Sequence, residues 1–162
     1  MNTRRLVFKK FTTEDADAYM SWYTSDEVMK YITGKGLTQE EAQARFKKAL
    51  DINATFPMAG FYAARIKTTG EYVGLIKFVY MGETQAEIGY GLVPPFWGKG
   101  YATEMANFLV EFGRQQKQLK VLIGIVNPGN KASVNVLRKM NFVFDKEDVE
   151  NDKVIAFYKL TL

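Results

Sequence analysis

The chain has 162 residues, 47% hydrophobic and 25% charged, a composition that suits one globular domain, residues 1–162, with a core of its own. It has no cysteine and no histidine, which excludes a disulfide frame, a thiolate nucleophile, a Cys-based metal site and a Ser-His-Asp triad, and leaves no typical zinc ligands, so no metal is expected. The net charge of +4 suits an anionic ligand, but the lysines are scattered without a dense basic block, so no nucleic-acid partner is indicated. Any proton transfer must use carboxylate, Tyr, Lys, Ser, backbone or water. The apolar runs are too short to span a membrane, and Met1-Asn2-Thr3-Arg4-Arg5 leads into a strand pattern without a signal-peptide core. A cytoplasmic location is therefore the default expectation, with no membrane partner.

Arg5 to Phe11 reads as a strand. Thr12 or Thr13 then caps a helix whose first turn carries Glu14 and Asp15, acids that complement the positive helix start. Ala16, Tyr19, Met20 and Tyr23 form its apolar face. Ser25-Asp26 interrupts it, Glu27 to Tyr31 makes a short second turn, and Gly34-Lys35-Gly36 is a loop. Thr38-Gln39-Glu40-Glu41 is a capping box, so a helix starts there and runs towards Leu50. Phe61 to Ile66 is a strand, Thr68 to Glu71 turns it, and Tyr72 to Tyr80 completes a hairpin. Gly82-Glu83-Thr84 turns again into a third antiparallel strand, Gln85 to Leu92.

That strand runs into Val93-Pro94-Pro95-Phe96-Trp97-Gly98-Lys99-Gly100-Tyr101-Ala102-Thr103-Glu104. The prolines end the strand because neither can donate to a ladder. Tyr101, Met105, Phe108, Leu109 and Phe112 then recur at the spacing of one helical face. Gly98 and Gly100 let the backbone bend and approach a ligand, and the first amides of the helix lack partners within it. Strand, basic glycine turn and helix in this order make a phosphate-binding turn. The alternative is a glycine turn that serves only a strand-to-helix corner. A Walker loop is excluded by spacing, and Thr103 stands where a dinucleotide fingerprint needs its third glycine.

After the helix, Val121 to Val126 is a short apolar strand of the kind buried on both faces. Asn127-Pro128-Gly129-Asn130 turns it, Asn130 is placed to cap a helix from Lys131 to about Met140, and Asn141 ends that helix in a left-handed conformation. Phe142 to Phe144 and Val154 to Leu160 make a last hairpin. No repeat or linker is present.

The turn Trp97-Gly98-Lys99-Gly100-Tyr101-Ala102 resembles motif A of the GNAT acetyltransferases, [QR]-x-x-G-x-[GA], with Trp97 in place of the usual Gln or Arg. That departure after Glu87-Ile88-Gly89-Tyr90 is similar to the ribosomal-protein acetyltransferase (RimJ/RimL) branch. So are Arg5-Leu6, Thr13-Glu14-Asp15-Ala16, Asp26 to Tyr31, and the segment Asn127-Pro128-x-Asn130-x-x-Ser133-x-x-Val136-Leu137-x-Lys139-x-Asn141-Phe142, where Asn141 replaces a glycine. The resemblance covers nearly the whole chain. It implies an α/β (α+β) acyl-CoA N-acyltransferase fold: a mixed, mostly antiparallel sheet whose two central parallel strands splay after a bulge, with flanking helices.

The resemblance also implies chemistry: an acetyl group moves from acetyl-CoA to a primary amine, such as a protein N-terminus or a small molecule, by direct attack in a ternary complex. The backbone of Leu92 and Val93 would hold the pantetheine arm, and the turn of Gly98, Lys99, Gly100, Tyr101, Ala102 and Thr103 the pyrophosphate. Asn130 would touch the arm as well as cap its helix. An alkyl ammonium titrates near roughly 10, so a base is needed, and Glu87 occupies the strand position where relatives carry one; the alternative is a Glu that only pairs with Lys or Arg beside the sheet. Leu137 stands where many members carry a Tyr acid; the resemblance to the RimJ/RimL branch, where the Ser of the N-x-x-S segment takes that role, implies Ser133 as the proton donor to the departing thiolate, and the alternative is a first-turn Ser bonded locally to backbone. Tyr31 and the loop from Thr33 to Leu37 would border the acceptor cleft, or make only an aromatic contact and a loop. A non-catalytic acyl-CoA-binding regulatory module keeps the same turn and is the alternative function. The assembly is expected to be a monomer or homodimer.

Overall fold

The computed structural model describes residues 1–162. β1 (Leu6–Lys10) leads to a single 3-10 turn, Thr13–Asp15, fixed where the Asp15 carboxylate accepts from the Thr12 N–H (3.0 Å). This turn feeds α1 (Ala16–Tyr23), and Ser25 caps the one-turn α2 (Asp26–Met29). α3 (Gln39–Thr55) starts at the expected box, in which Thr38 and Glu41 cap each other. It runs past Leu50 for a tertiary reason. Asn53 in its last turn donates to the carbonyls of Phe11 and Phe61 and accepts from the Phe61 N–H, clamping the helix end to β2 (Gly60–Ile66).

β3 (Tyr72–Tyr80) and β4 (Gln85–Leu92) have the expected bounds. A 3-10 turn, Pro94–Phe96, precedes α4 (Tyr101–Arg114), followed by β5 (Val121–Val126) and α5 (Lys131–Lys139). Asn141 is left-handed (φ 64°), as expected at the end of α5. The last hairpin is longer than the sequence pattern suggests. β6 is Val143–Glu150 rather than Phe142 to Phe144, and β7 is Lys153–Thr161. Every residue of β6 is exposed, so backbone pairing to β7 makes this strand, not burial of an apolar face. Asn151 and Asp152, both at positive φ (48° and 59°), form the two-residue turn that joins them.

The strands form one sheet in the order β1-β2-β3-β4-β5-β7-β6. Every neighbour pair is antiparallel except β4–β5, which α4 connects as a crossover. On one face α4 and α5 bury Met105, Leu109 and Leu137 against Phe8, Phe78, Ile88 and Leu122. On the other, α1, α2 and α3 bury Tyr19, Trp22, Met29 and Phe46 with Phe11 and Leu75. The parallel pairing runs from Gln85↔Val121 to Ile88↔Gly124 and stops. Beyond that point β4 stays paired with β3 and β5 with β7, so a gap opens between them. No bulge in β4 causes this. Its register with β3 is unbroken from Gly74↔Leu92 to Tyr80↔Ala86, and the irregularities lie at Ala64/Arg65 and Phe144/Lys146.

Candidate active site

The gap between β4 and β5 organises the site. In an antiparallel ladder, alternate residues turn their N–H and C=O to the same neighbour. Met81 donates to Gln85 and Val93 donates to Val73 (3.0 Å), so Glu87, Gly89, Gly91 and Val93 address β3. Ile88, Tyr90 and Leu92 therefore address β5, and beyond Ile88 there is no β5 ladder to meet them. Tyr90 and Leu92 turn backbone groups into the gap. The Leu92 carbonyl is met by the Trp97 indole Nε1 (2.8 Å), which ties the following turn back to the strand. Val93 turns to the other neighbour: its N–H goes to Val73 and its carbonyl accepts from Phe96 (3.0 Å). Tyr90 stands beside Leu92 on the gap edge.

At the end of the gap lies the glycine turn. Gly98 (φ 72°) and Gly100 (φ 79°) are both left-handed, a conformation that costs other residues energy, and Gly100 is the N-cap of α4. Gly98, Lys99 and Gly100 are exposed. The amides of Gly98, Lys99, Gly100, Tyr101, Ala102 and Thr103 all lack an acceptor within the chain; the first bond of the series is Glu104 N–H to the Gly100 carbonyl (3.2 Å). The Lys99 ammonium lies 5.5 Å from the centre of the Phe96 ring. Such a run of free donors at the positive end of a 14-residue helix offers several hydrogen bonds to one anion.

Ser133 and Tyr90 meet on the α4–α5 face. The Ser133 hydroxyl donates to Tyr90 Oη (3.2 Å), and Tyr90 donates to the Ser133 carbonyl (3.1 Å). Burial pushes the Tyr90 phenol up to about 12, against the Ser133 bond that favours ionisation, so it stays neutral and keeps its proton for hydrogen bonding. Asn130 caps α5 as expected, its Oδ1 accepting from the Ser133 N–H (3.1 Å). Glu87 lies on the opposite face, where its carboxylate is paired with the Lys77 ammonium. The Lys77 stem crosses Gly89, and Trp22 fills the space beside Gly91, where a methyl group would stand 2.2 Å from the indole. Tyr31 lies beside Gly129 in the turn after β5 and is exposed.

The structure thus brings the glycine turn, Leu92, Asn130 and Ser133 to one side of the sheet and Glu87 to the other. Reading the sequence missed Tyr90, Lys77 and Trp22 as parts of this site. Tyr90 and Glu87 sit three apart on a strand and so face opposite ways, a signal that was legible. The partners of Lys77 and Trp22 come from strand register and helix docking, which no local pattern encodes.

A family model described as an acetyltransferase (GNAT) domain matches residues 5–143. The uncharacterised N-acetyltransferase YnaD of Bacillus subtilis (strain 168) is 32% identical over 142 residues, covering 86% of this chain and 80% of that protein. Among solved structures, a GNAT-family acetyltransferase from Bacillus anthracis superposes with a TM-score of 0.83 at 24% identity, covering 99% of this chain and 96% of that one. The RimL ribosomal L7/L12 α-N-protein acetyltransferase, solved in complex with coenzyme A, superposes with a TM-score of 0.79 at 16% identity, covering 99% and 96%. No helix of the chain is long and apolar enough to cross a membrane.

Proposed function

The chain belongs to the GNAT acetyltransferase family, and on that premise we propose that it moves an acetyl group from acetyl-CoA to a primary amine, a protein N-terminus or a small molecule, by direct attack in a ternary complex. The observation that carries the donor half of this reading is the row of free amides from Gly98 to Thr103. They take the diphosphate. The strand edge at Tyr90 and Leu92 that β5 leaves unpaired, where Trp97 holds only the Leu92 carbonyl, takes the pantetheine arm, as an extra strand would.

In the reaction the amine nitrogen bonds to the thioester carbon and the C–S bond breaks. The proton of the attacking amine passes to Glu87, directly or through water, once Lys77 yields part of that contact. The departing thiolate takes a proton through the Ser133 hydroxyl, which turns from Tyr90 toward the sulfur and is reprotonated by water, or it takes one from water directly, since a free thiol titrates near roughly 8.5. Holding thioester and amine in contact through the gap supplies much of the acceleration. Tyr31 borders the acceptor side.

Acetyl-CoA binding by calorimetry, with Gly100→Trp as control, tests the reading when followed by thiol release on mixed primary amines and N-terminal peptides. Binding lost in the variant, with CoA released on one class of amine, is the expected result. No binding by the wild-type chain overturns the donor site. Binding without release on any amine favours the regulatory acyl-CoA-binding module.

A further inference from the structure

One side chain from outside the gap reaches the glycine turn. Arg5 donates through Nε to Glu104 Oε2 (2.6 Å) and through Nη1 to the Lys99 carbonyl (3.0 Å). Its backbone N–H and the Thr3 hydroxyl both donate to Glu104 Oε1 (2.8 and 2.5 Å). The guanidinium lies 4.1 Å from the centre of the Tyr101 ring, and a methyl built on Gly100 would stand 3.6 Å from Nη2. Arg5 therefore touches Lys99, Tyr101 and Glu104 and lies beside Gly100 without occupying any of the free amides.

Glu104 creates an electrostatic conflict. An acid in the first turn of a helix suits the dipole of the free protein. It also competes with an anionic ligand for the same positive end, and two like charges a few ångströms apart repel. Pairing with Arg5 cancels that charge, and the planar fork serves the carboxylate and the Lys99 carbonyl at once.

We propose that Arg5 is a positioning residue of the donor site: it fixes Lys99, Gly100 and Tyr101 with their amides outward, and it neutralises Glu104 so that a diphosphate can approach. This inference rests on reading the Gly98–Thr103 turn as the diphosphate site. The competing account is a purely structural brace between the N-terminal strand and α4.

Two donors separate these accounts: acetyl-CoA, and acetyl-pantetheine, which keeps the thioester but lacks the diphosphate. Arg5→Ala should raise the Kd for CoA and the KM for acetyl-CoA about tenfold, the scale of one charge-assisted contact. Its kcat/KM for acetyl-pantetheine should not change. The loss should shrink as salt is raised, and Glu104→Gln in the Arg5→Ala background should recover most of it by removing the unpaired carboxylate. Arg5→Lys, which keeps the charge without the fork, should also weaken CoA and serves if Arg5→Ala does not fold. Unchanged CoA affinity in these variants, or an equal loss on both donors, overturns the proposal. A wild-type enzyme that uses both donors equally well overturns the diphosphate reading of the turn instead.

Discussion

Two residues show how single side chains hold this site. A methyl at Gly91 would stand 2.2 Å from Trp22 Cζ2, with the ring wedged in the aromatic core of α1. Gly91→Ala should therefore lower stability by about 1–3 kcal/mol, the usual cost of overpacking, and a urea midpoint equal to wild type would refute the clash. Glu104 is the second. Burial pushes its carboxyl up, but bonds from Thr3 and from the Arg5 backbone and side chain, with the Arg5 charge, outweigh it and hold the group below its ordinary 4.5. A depressed carboxyl stabilises the fold above its unfolded value, and that contribution is lost as pH falls through the folded one. Glu104→Gln should lose less stability than wild type on acidification below about pH 4.5, measured by denaturant titration across a pH series.

At the scale of elements, the ends of α3 and the last hairpin show what local chemistry decides. Thr38 and Glu41 start α3 where their spacing says, because a capping box satisfies orphan amides from within the segment. The far end is set by Asn53, whose three bonds go to β2 and the residue after β1. The β6–β7 hairpin has the opposite logic. Its charged strand has no apolar alternation to read, yet the Asn151-Asp152 turn carries the left-handed backbone that two-residue hairpins need. Asp152→Gly should relieve the left-handed cost at that position and raise stability by about 0.5 kcal/mol, read as a higher melting temperature. A lower melting temperature would mean that the Asp152 side chain holds the turn in a way its backbone does not reveal.

For the whole molecule, the decisive feature is an interrupted sheet. β4 keeps its partner β3 and β5 keeps β7, while α5 seats Leu137 against Gly124, where a larger side chain would collide, at the last pair of the β4–β5 ladder before the gap. The amides of Tyr90 and Leu92 that face the gap and the free amides of the glycine turn are thus made by one divergence and the helix that starts beyond it. Hydrogen exchange of the intact protein tests this. Amides from Gly98 to Thr103, with those of Tyr90 and Leu92, should exchange fast in the free protein and slow together when acetyl-CoA is added. Protection of the turn without the strand edge would separate diphosphate binding from the seating of the arm.

The sequence by itself determined the family, the order of nearly all elements, the turn at Gly98–Gly100 and the cap at Asn130. Each depends on contacts within a few residues: a positive φ, a capping oxygen, a 3.6- or two-residue period. Only the tertiary structure decided that Val93 is occupied while Tyr90 is open, that Glu87 is paired with Lys77, and that Arg5 grips a turn more than ninety residues away. Those outcomes depend on which strand edge faces which neighbour. The parity of the β3–β4 register and the point where β4 and β5 part come from packing across the entire sheet, and no stretch of the chain contains that information alone.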